Sequence, residues 1–491
     1  CFMRVKPILN VLGALLALLG ITMIVPILIS YFFGGSDLIG LIKSSVACIL
    51  IGFPLWYFTK HKKSLNNKIG FAIVTLSWVT AAFAGSLPFY LTGAIPNFTD
   101  AFFEAMSGVT TTGATILGNP VTLTNLPNGI ESLPKGVLFW RSFIQWVGGM
   151  GIIVFYIAIL PVLGSGGIQL FKLEVPGPVA DKIKPRLRET AKMLWIVYCS
   201  FTLLQIILLT LAGMPLFDSV CHGLTTMPTG GFSTQNDSIG AYSSDLIHYI
   251  IIAFMFIAGV NFTLHYKAIT GNFRAHIKDY EFRVYALIVF LSTMLIFFNI
   301  SSVNSEYTHD NFIKSLFQAL AILTGTGYTS ANYELWPFFS QHLLLILMFL
   351  GAMGGSTSGG MKIARILLLI KSALTEIRRM LHARAIIPIK IGKRIISDEI
   401  VRNTLGFSLI YISVFIITSL ALSFFNLDLQ SSVGAAASAI GNVGPAFGDF
   451  GPTDNYSTLH PAGKWLLSFC MLLGRLEIFA VIVLLSAAYW K

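Results

Sequence analysis

Residues 312–330 read FIKSLFQALAILTGTGYTS. A weakly amphipathic stretch, too short to cross a bilayer that takes about 20 apolar residues, runs into the polar turn TGTGYTS (324–330) and then into another long apolar segment. Three other stretches do the same: AFFEAMSGVTTTGATIL (101–117), LFDSVCHGLTTMPTGGFST (216–234) and SSVGAAASAIGNVGPAFG (431–448). Aligned on the turn, Gly113, Gly230, Gly327 and Gly444 coincide, 117, 97 and 117 residues apart. Any one of these stretches could be an ordinary glycine-rich loop or a small-residue packing face. Four at equivalent places make the repeat a whole span–loop–span unit.

Irregular backbone at membrane depth survives only where protein buries it or water reaches it. Four such loops can meet on one axis and solvate each other. A short helix descending into each loop points its partly negative C-terminal end at that axis, which favours a cation. Glycine then lets the backbone turn its carbonyls inward, and rings of carbonyls can replace a monovalent cation's hydration shell. Thr110, Thr111, Thr112, Thr229, Thr324 and Thr326 add hydroxyl oxygens. No carboxylate occupies the turns, as a divalent-cation ring would require.

The composition places this device in lipid. Of 491 residues, 55% are hydrophobic and 11% charged, against roughly 25% charged in a soluble domain. Apolar stretches near 8–32, 38–59, 69–92, 136–163, 191–213, 245–268, 282–300, 340–371, 400–425 and 462–489 predict about ten crossings. Most of the 33 Lys and Arg fall in alternate loops, so those loops and both termini are expected in the cytoplasm. The net charge of +11 is therefore topological. A nucleic-acid footprint, a basic stripe mixed with aromatics on a soluble face, is not present. The apolar run from Ile8 to Ile29 is too long for a signal-peptide core and reads as a retained helix. No CxxC pair or His/Cys cluster suggests zinc or a disulfide framework. His222, His248 and His265 are dispersed, and neither HExxH nor GxSxG occurs, which argues against an enzyme.

The runs TTTGAT around Gly113, TGGFST (229–234), TGTGYTS, GNVGPAFG (441–448), GGSTSGGMK (354–362) and GRLEIF (474–479) together resemble the Trk/Ktr/HKT potassium transporter superfamily, most closely its bacterial TrkH-type subunits. The resemblance spans the chain and includes a leading helical hairpin (8–59) that Ktr and HKT members lack. It implies an all-α polytopic membrane protein with a pseudo-fourfold pore. The expected division is an N-terminal two-helix hairpin (1–68) and four M1–P–M2 repeats at 69–189, 190–280, 281–395 and 396–491. It also implies a homodimer, potassium uptake across the bacterial inner membrane, and a cytosolic nucleotide-binding RCK-type regulatory subunit. The basic loops at 166–192 and 371–400 are candidate docking surfaces for that subunit, and membrane-surface attraction would account for them equally. No nucleotide-binding motif lies in this chain. One glycine per loop is the family's shared filter residue, which maps onto Gly113, Gly230, Gly327 and Gly444.

The candidate filter comprises Thr110, Thr111, Thr112 and Gly113; Pro228, Thr229, Gly230 and Gly231; Thr324, Gly325, Thr326 and Gly327; and Asn442, Val443 and Gly444. Thr111, Thr112, Gly230, Thr326, Gly327 and Val443 are the expected K+ ligands. The four loops are chemically unequal, so moderate selectivity for K+ over Na+ is expected. A Na+/K+-permeable pore or an H+- or Na+-coupled symporter of the same fold is the alternative. Within the span 340–371, Gly354, Gly355, Ser356, Thr357, Ser358, Gly359 and Gly360 break the helix, and Lys362 is a charge near membrane depth. They are expected to form an intramembrane gate loop beneath the filter. Arg475, midway along 462–489, must face protein or water and is expected to set a fixed positive charge near the pore axis, with Glu477 projecting elsewhere. Arg141, near the outer end of a span, could snorkel to the surface. Asp218 could cap a short helix and Glu104 could attract cations at the mouth.

Overall fold

A computed structural model describes residues 5–60, 67–118, 129–151, 187–304, 307–382, 387–392 and 394–490. The expected loop at 166–192 lies almost wholly outside the described residues, as does the far half of the expected span 136–163. The regular elements among the described residues are helices, apart from one two-residue strand pair, Lys390–Ile391 with Arg394–Ile395, and an isolated bridge between Leu350 and Met361.

Among the described residues, six helices are long and apolar enough to cross a membrane: Val5–Phe32, Leu38–Phe58, Lys68–Leu91, Ala191–Leu211, Tyr280–Val303 and Asp398–Ser423. The first two form a hairpin whose crossing is set by glycines. A Cβ on Gly13 or Gly52 would strike the backbone of the opposite helix, the close approach that small residues allow in lipid. The other four long helices each open one unit. Each is followed by a short helix: Phe98–Val109, Leu216–Thr226, His309–Thr324 and Leu429–Gly441. Asn97, Thr308 and Asp428 cap three of these at the N-terminus, each accepting a bond from a first-turn N–H, which satisfies donors that the helix leaves open.

The burial is inverted relative to the usual pattern of long helices inside. Ala319 to Leu323 and Ala435 to Ala437 in the short helices are 0% exposed, whereas Leu409, Leu420 and Phe290 on the long helices lie open. Lipid-facing long helices therefore enclose the short ones.

The remaining four expected crossings, the second spans of the units, are not continuous. Asp245–Ala258 and Phe262–Ile269 meet at 102°. Phe338–Phe349 stops before a loop and resumes as Ile363–Leu381. Pro461–Arg475 ends before Phe479–Leu485, with Glu477 and Ile478 both left-handed. Lys135–Gly149 ends at Met150. All four stop at the same place in their unit.

Candidate filter and the loop beneath it

Each short helix runs out into a turn with the same backbone signature. Thr111, Thr229, Gly325 and Asn442 are left-handed (φ 55°, 57°, 71° and 53°), and so, two residues on, are Gly113, Gly231, Gly327 and Gly444 (φ 83°, 75°, 71° and 105°). The second loop corrects the alignment made on sequence. Gly231, not Gly230, is the counterpart of the other three glycines. Gly230 is the residue between the two left-handed positions, like Thr112, Thr326 and Val443.

Those intermediate residues close a ring. A Cβ on Gly113 would strike the carbonyl oxygen of Gly230, one on Gly231 that of Thr326, one on Gly327 that of Val443, and one on Gly444 that of Thr112. Loop one thus abuts loop two, two abuts three, three abuts four, and four returns to one. Gly113, Gly231, Gly327 and Gly444 together line one open cavity, whose walls include Arg141, Asp237, Asp454 and Tyr456. Burial pushes the Asp454 carboxyl up from its usual range.

The ring is chemically twofold rather than fourfold. In loops one and three, threonine hydroxyls pair: Thr110 with Thr112 at 2.8 Å, and Thr324 with Thr326 at 2.7 Å. The corresponding places hold Pro228 and Gly230 in loop two and Gly441 and Val443 in loop four. The Asn442 carboxamide donates to the Thr112 hydroxyl at 2.9 Å and to the Met471 carbonyl at 2.9 Å, tying loops four and one together. The Thr111 hydroxyl is buried with no hydrogen-bond partner among the described residues, whereas Thr229 donates to the Pro228 carbonyl. The oxygens of Thr112, Gly230, Thr326 and Val443 are the groups best placed to hold a monovalent cation.

Three charged residues sit otherwise than expected. Arg141 does not snorkel: it is 2% exposed, and its Nε lies 2.7 Å from Glu104. Glu104 is 0% exposed and also accepts from Thr115 and the Ile116 N–H. It is a bound partner behind loop one, not a charge at the mouth. Asp218 does not cap its helix; it accepts from the Thr234 hydroxyl at 2.8 Å.

Below the ring lies the glycine-rich loop between Phe349 and Ile363. Its base closes where the Gly351 N–H donates to the Met361 carbonyl at 2.8 Å. Lys362, 2% exposed, folds back onto the Ser358 carbonyl and hydroxyl. The Thr357 hydroxyl donates to the Met227 carbonyl at 2.9 Å, at the end of the second short helix. Gly359 packs so close to Gly441 that a Cβ would strike its carbonyl oxygen. Gly354, Gly355, Ser356 and Gly360 complete the turn, with Gly355 and Gly360 left-handed. Arg475 reaches the same loop: Nη1 donates to the Thr357 carbonyl at 2.7 Å, and Nη2 to the carbonyls of Gly148 and Gly149 at 2.9 and 3.0 Å. It thereby caps the C-terminal end of Lys135–Gly149, where a cation is favoured. The structure brings the two expected gate elements, 354–362 and Arg475, into contact. Glu477 does project elsewhere, pairing with Arg365.

Sequence reasoning missed three contributors. Gln145 bonds the backbone of loop two. Glu281 accepts from the N–H groups of Gly354 and Ala364, near the two ends of the glycine-rich loop, at 2.8 and 3.1 Å. Asp37 accepts from the Val137 N–H at 2.8 Å. None stands in a motif, and each acts on residues far along the chain.

The fold and the ring of loops define a multi-pass, mostly helical membrane transport protein. A family model described as TrkH, cation transport protein, matches residues 40–491, and the chain belongs to that family, one of transporters and not of enzymes. It is 39% identical to the Trk system potassium uptake protein TrkH of Vibrio parahaemolyticus and 38% identical to that of Escherichia coli K12, over 100% of both chains in each case. The crystal structure of the potassium transporter TrkH from Vibrio parahaemolyticus superposes with a TM-score of 0.87 at 36% identity, again over 100% of both chains.

Proposed function

We propose that this chain takes up potassium across the bacterial inner membrane through a central, channel-like pathway whose filter is the ring of four loops. The observation that carries the reading is the ring itself. Each glycine lacks the Cβ that its neighbour's carbonyl would strike, and all four line one open cavity. Neutral backbone and hydroxyl oxygens suit a weakly held monovalent ion. The printed names of the relatives, potassium uptake proteins, support the same cargo.

The loop at 354–362 and Arg475 gate the pathway from below, the guanidinium opposing cation passage by its charge. Both termini are cytoplasmic, the chain works as a homodimer, and a cytosolic RCK-type nucleotide-binding subunit docks on the basic face that includes 371–400. These parts of the reading rest on the distribution of Lys and Arg and on the family resemblance.

The test is uptake of radiolabelled Rb+ into proteoliposomes loaded with K+. The expected result is uptake competed by external K+ more strongly than by Na+, without any imposed H+ or Na+ gradient. Folded protein that passes no Rb+ would overturn the proposal. Uptake that requires a second ion's gradient would replace the channel-like mechanism with symport.

A further inference from the structure

We propose that Gln145 is a positioning residue that sets cation selectivity by fixing the second filter loop from behind; the inference rests on the transport reading above. Gln145 belongs to the helix Lys135–Gly149 of the first unit and is 0% exposed. Its Nε2 donates to the Gly230 carbonyl at 2.6 Å, and its Oε1 accepts from the Phe232 N–H at 3.1 Å. A carboxamide presents one donor edge and one acceptor edge, which here match a C=O and an N–H two residues apart. The two bonds straddle Gly231, the left-handed residue whose missing Cβ faces the Thr326 carbonyl. The Gly230 oxygen that Gln145 holds is the same oxygen that lies against Gly113 in the ring.

One turn earlier on the same helix face, Arg141 extends the grip. Its Nη1 donates to the Ser233 carbonyl at 2.8 Å, and its guanidinium lies 3.7 Å from the centre of the Phe232 ring. Residues 230, 232 and 233 are therefore held by two side chains of a different unit. Loop four is held differently, by Ser438 of its own short helix, whose hydroxyl bonds both the N–H and the carbonyl of Gly444.

The consequence is selectivity rather than cohesion alone. A carbonyl ring distinguishes cations by where its oxygens sit and how far they can move. With Gln145 in place, the Gly230 oxygen cannot follow a smaller ion inward without breaking a buried hydrogen bond. Without it, that oxygen is free to close around Na+.

The test compares full-length wild type with Gln145→Met and Gln145→Leu, two apolar variants of different shape that lose both bonds. Rb+ and Na+ uptake are measured side by side in proteoliposomes holding matched amounts of monodisperse protein. The expected result is a fall of about fivefold in the Rb+/Na+ uptake ratio, the scale of one buried hydrogen bond, arising from a gain in Na+ entry. A merely structural role would lower both fluxes in parallel and leave the ratio where it was. That result overturns the proposal, as does failure of both variants to fold. If only one variant folds, its ratio decides. Wild-type protein that takes up no Rb+ refutes the transport reading and this inference with it, an outcome distinct from an unchanged ratio in variants of a working transporter.

Discussion

Each of the four loops of the proposed filter carries two left-handed residues, yet only the second is always glycine. At the first position Thr111, Thr229 and Asn442 accept a conformation that disfavours side chains by about 1–2 kcal/mol, because nothing blocks their Cβ outright. At the second, φ is again left-handed, and the neighbouring loop's carbonyl occupies the space a Cβ would need. That distinction yields a prediction within one dipeptide. Gly231→Ala must push back the Thr326 carbonyl and should abolish most of the preference for Rb+ over Na+. A Cβ on Gly230 would displace the Gln145 carboxamide rather than a backbone carbonyl of the ring, so Gly230→Ala should cost about what loss of the Gln145 bonds costs, roughly fivefold, and less than Gly231→Ala. Equal losses in paired uptake measurements would show that the register drawn here is wrong. The tandem glycine in TGGFST is why sequence alignment chose Gly230. Local pattern allows either residue, and the choice is made by which of them faces loop three across the ring. Arg141 teaches the same point. An apolar run gives a residue's depth in the membrane, whereas its direction, toward buried Glu104 rather than outward, depends on packing that the run does not encode.

Among the elements, the second spans separate what the sequence discloses from what it hides. The break at 351–362 is legible because five glycines and three hydroxyl residues cannot sustain a helix. The break at Gly259 to Asn261 is three residues long, and it alters neither the composition nor the period of the apolar run around it. The 102° bend follows only once Phe262 is set against the Gly355 carbonyl, to which its N–H donates at 3.0 Å. The glycine-rich loop proposed as the gate is fastened at several separate points. Glu281 holds Gly354 and Ala364, Arg475 holds Thr357, and Thr357 holds Met227. Hydrogen bonds to charged groups contribute roughly 1.5–3 kcal/mol each, so releasing one fastening shifts the loop's equilibrium by about ten- to a hundredfold. Arg475→Ala and Glu281→Ala should therefore each raise Rb+ uptake by about that factor, with the Rb+/Na+ ratio retained, and deletion of 354–360 should raise it further. Uptake equal to or below wild type at matched protein amounts would remove these residues from the gate.

In the whole molecule, the helix Lys135–Gly149 joins the parts. Its middle carries Gln145 and Arg141, its C-terminal end is capped by Arg475 from the fourth unit, and its N-terminal end is met by Asp37 from the leading hairpin. Pro134, at the head of that helix, offers no side-chain cap. Asp37, 1% exposed, supplies one in trans through Val137 while its other oxygen accepts from Ser30. A carboxylate at the positive end and a guanidinium at the negative end both favour the helix dipole. The hairpin itself was evident from two apolar runs, but its attachment was not, since one aspartate between two spans reads as ordinary loop polarity. If the hairpin serves as this helix's outer anchor, truncating the carboxylate must loosen it. Asp37→Ala leaves a buried N–H without a partner, a loss of about 1–3 kcal/mol, and should lower the melting temperature in detergent by several degrees. Asp37→Asn keeps an oxygen for Val137 and gives up only the charge, about 0.3–1 kcal/mol of dipole interaction, so its shift should be clearly smaller. A melting temperature unmoved in both variants would mean that the hairpin is attached by its apolar faces alone, and that the first filter scaffold is held from its inner end only.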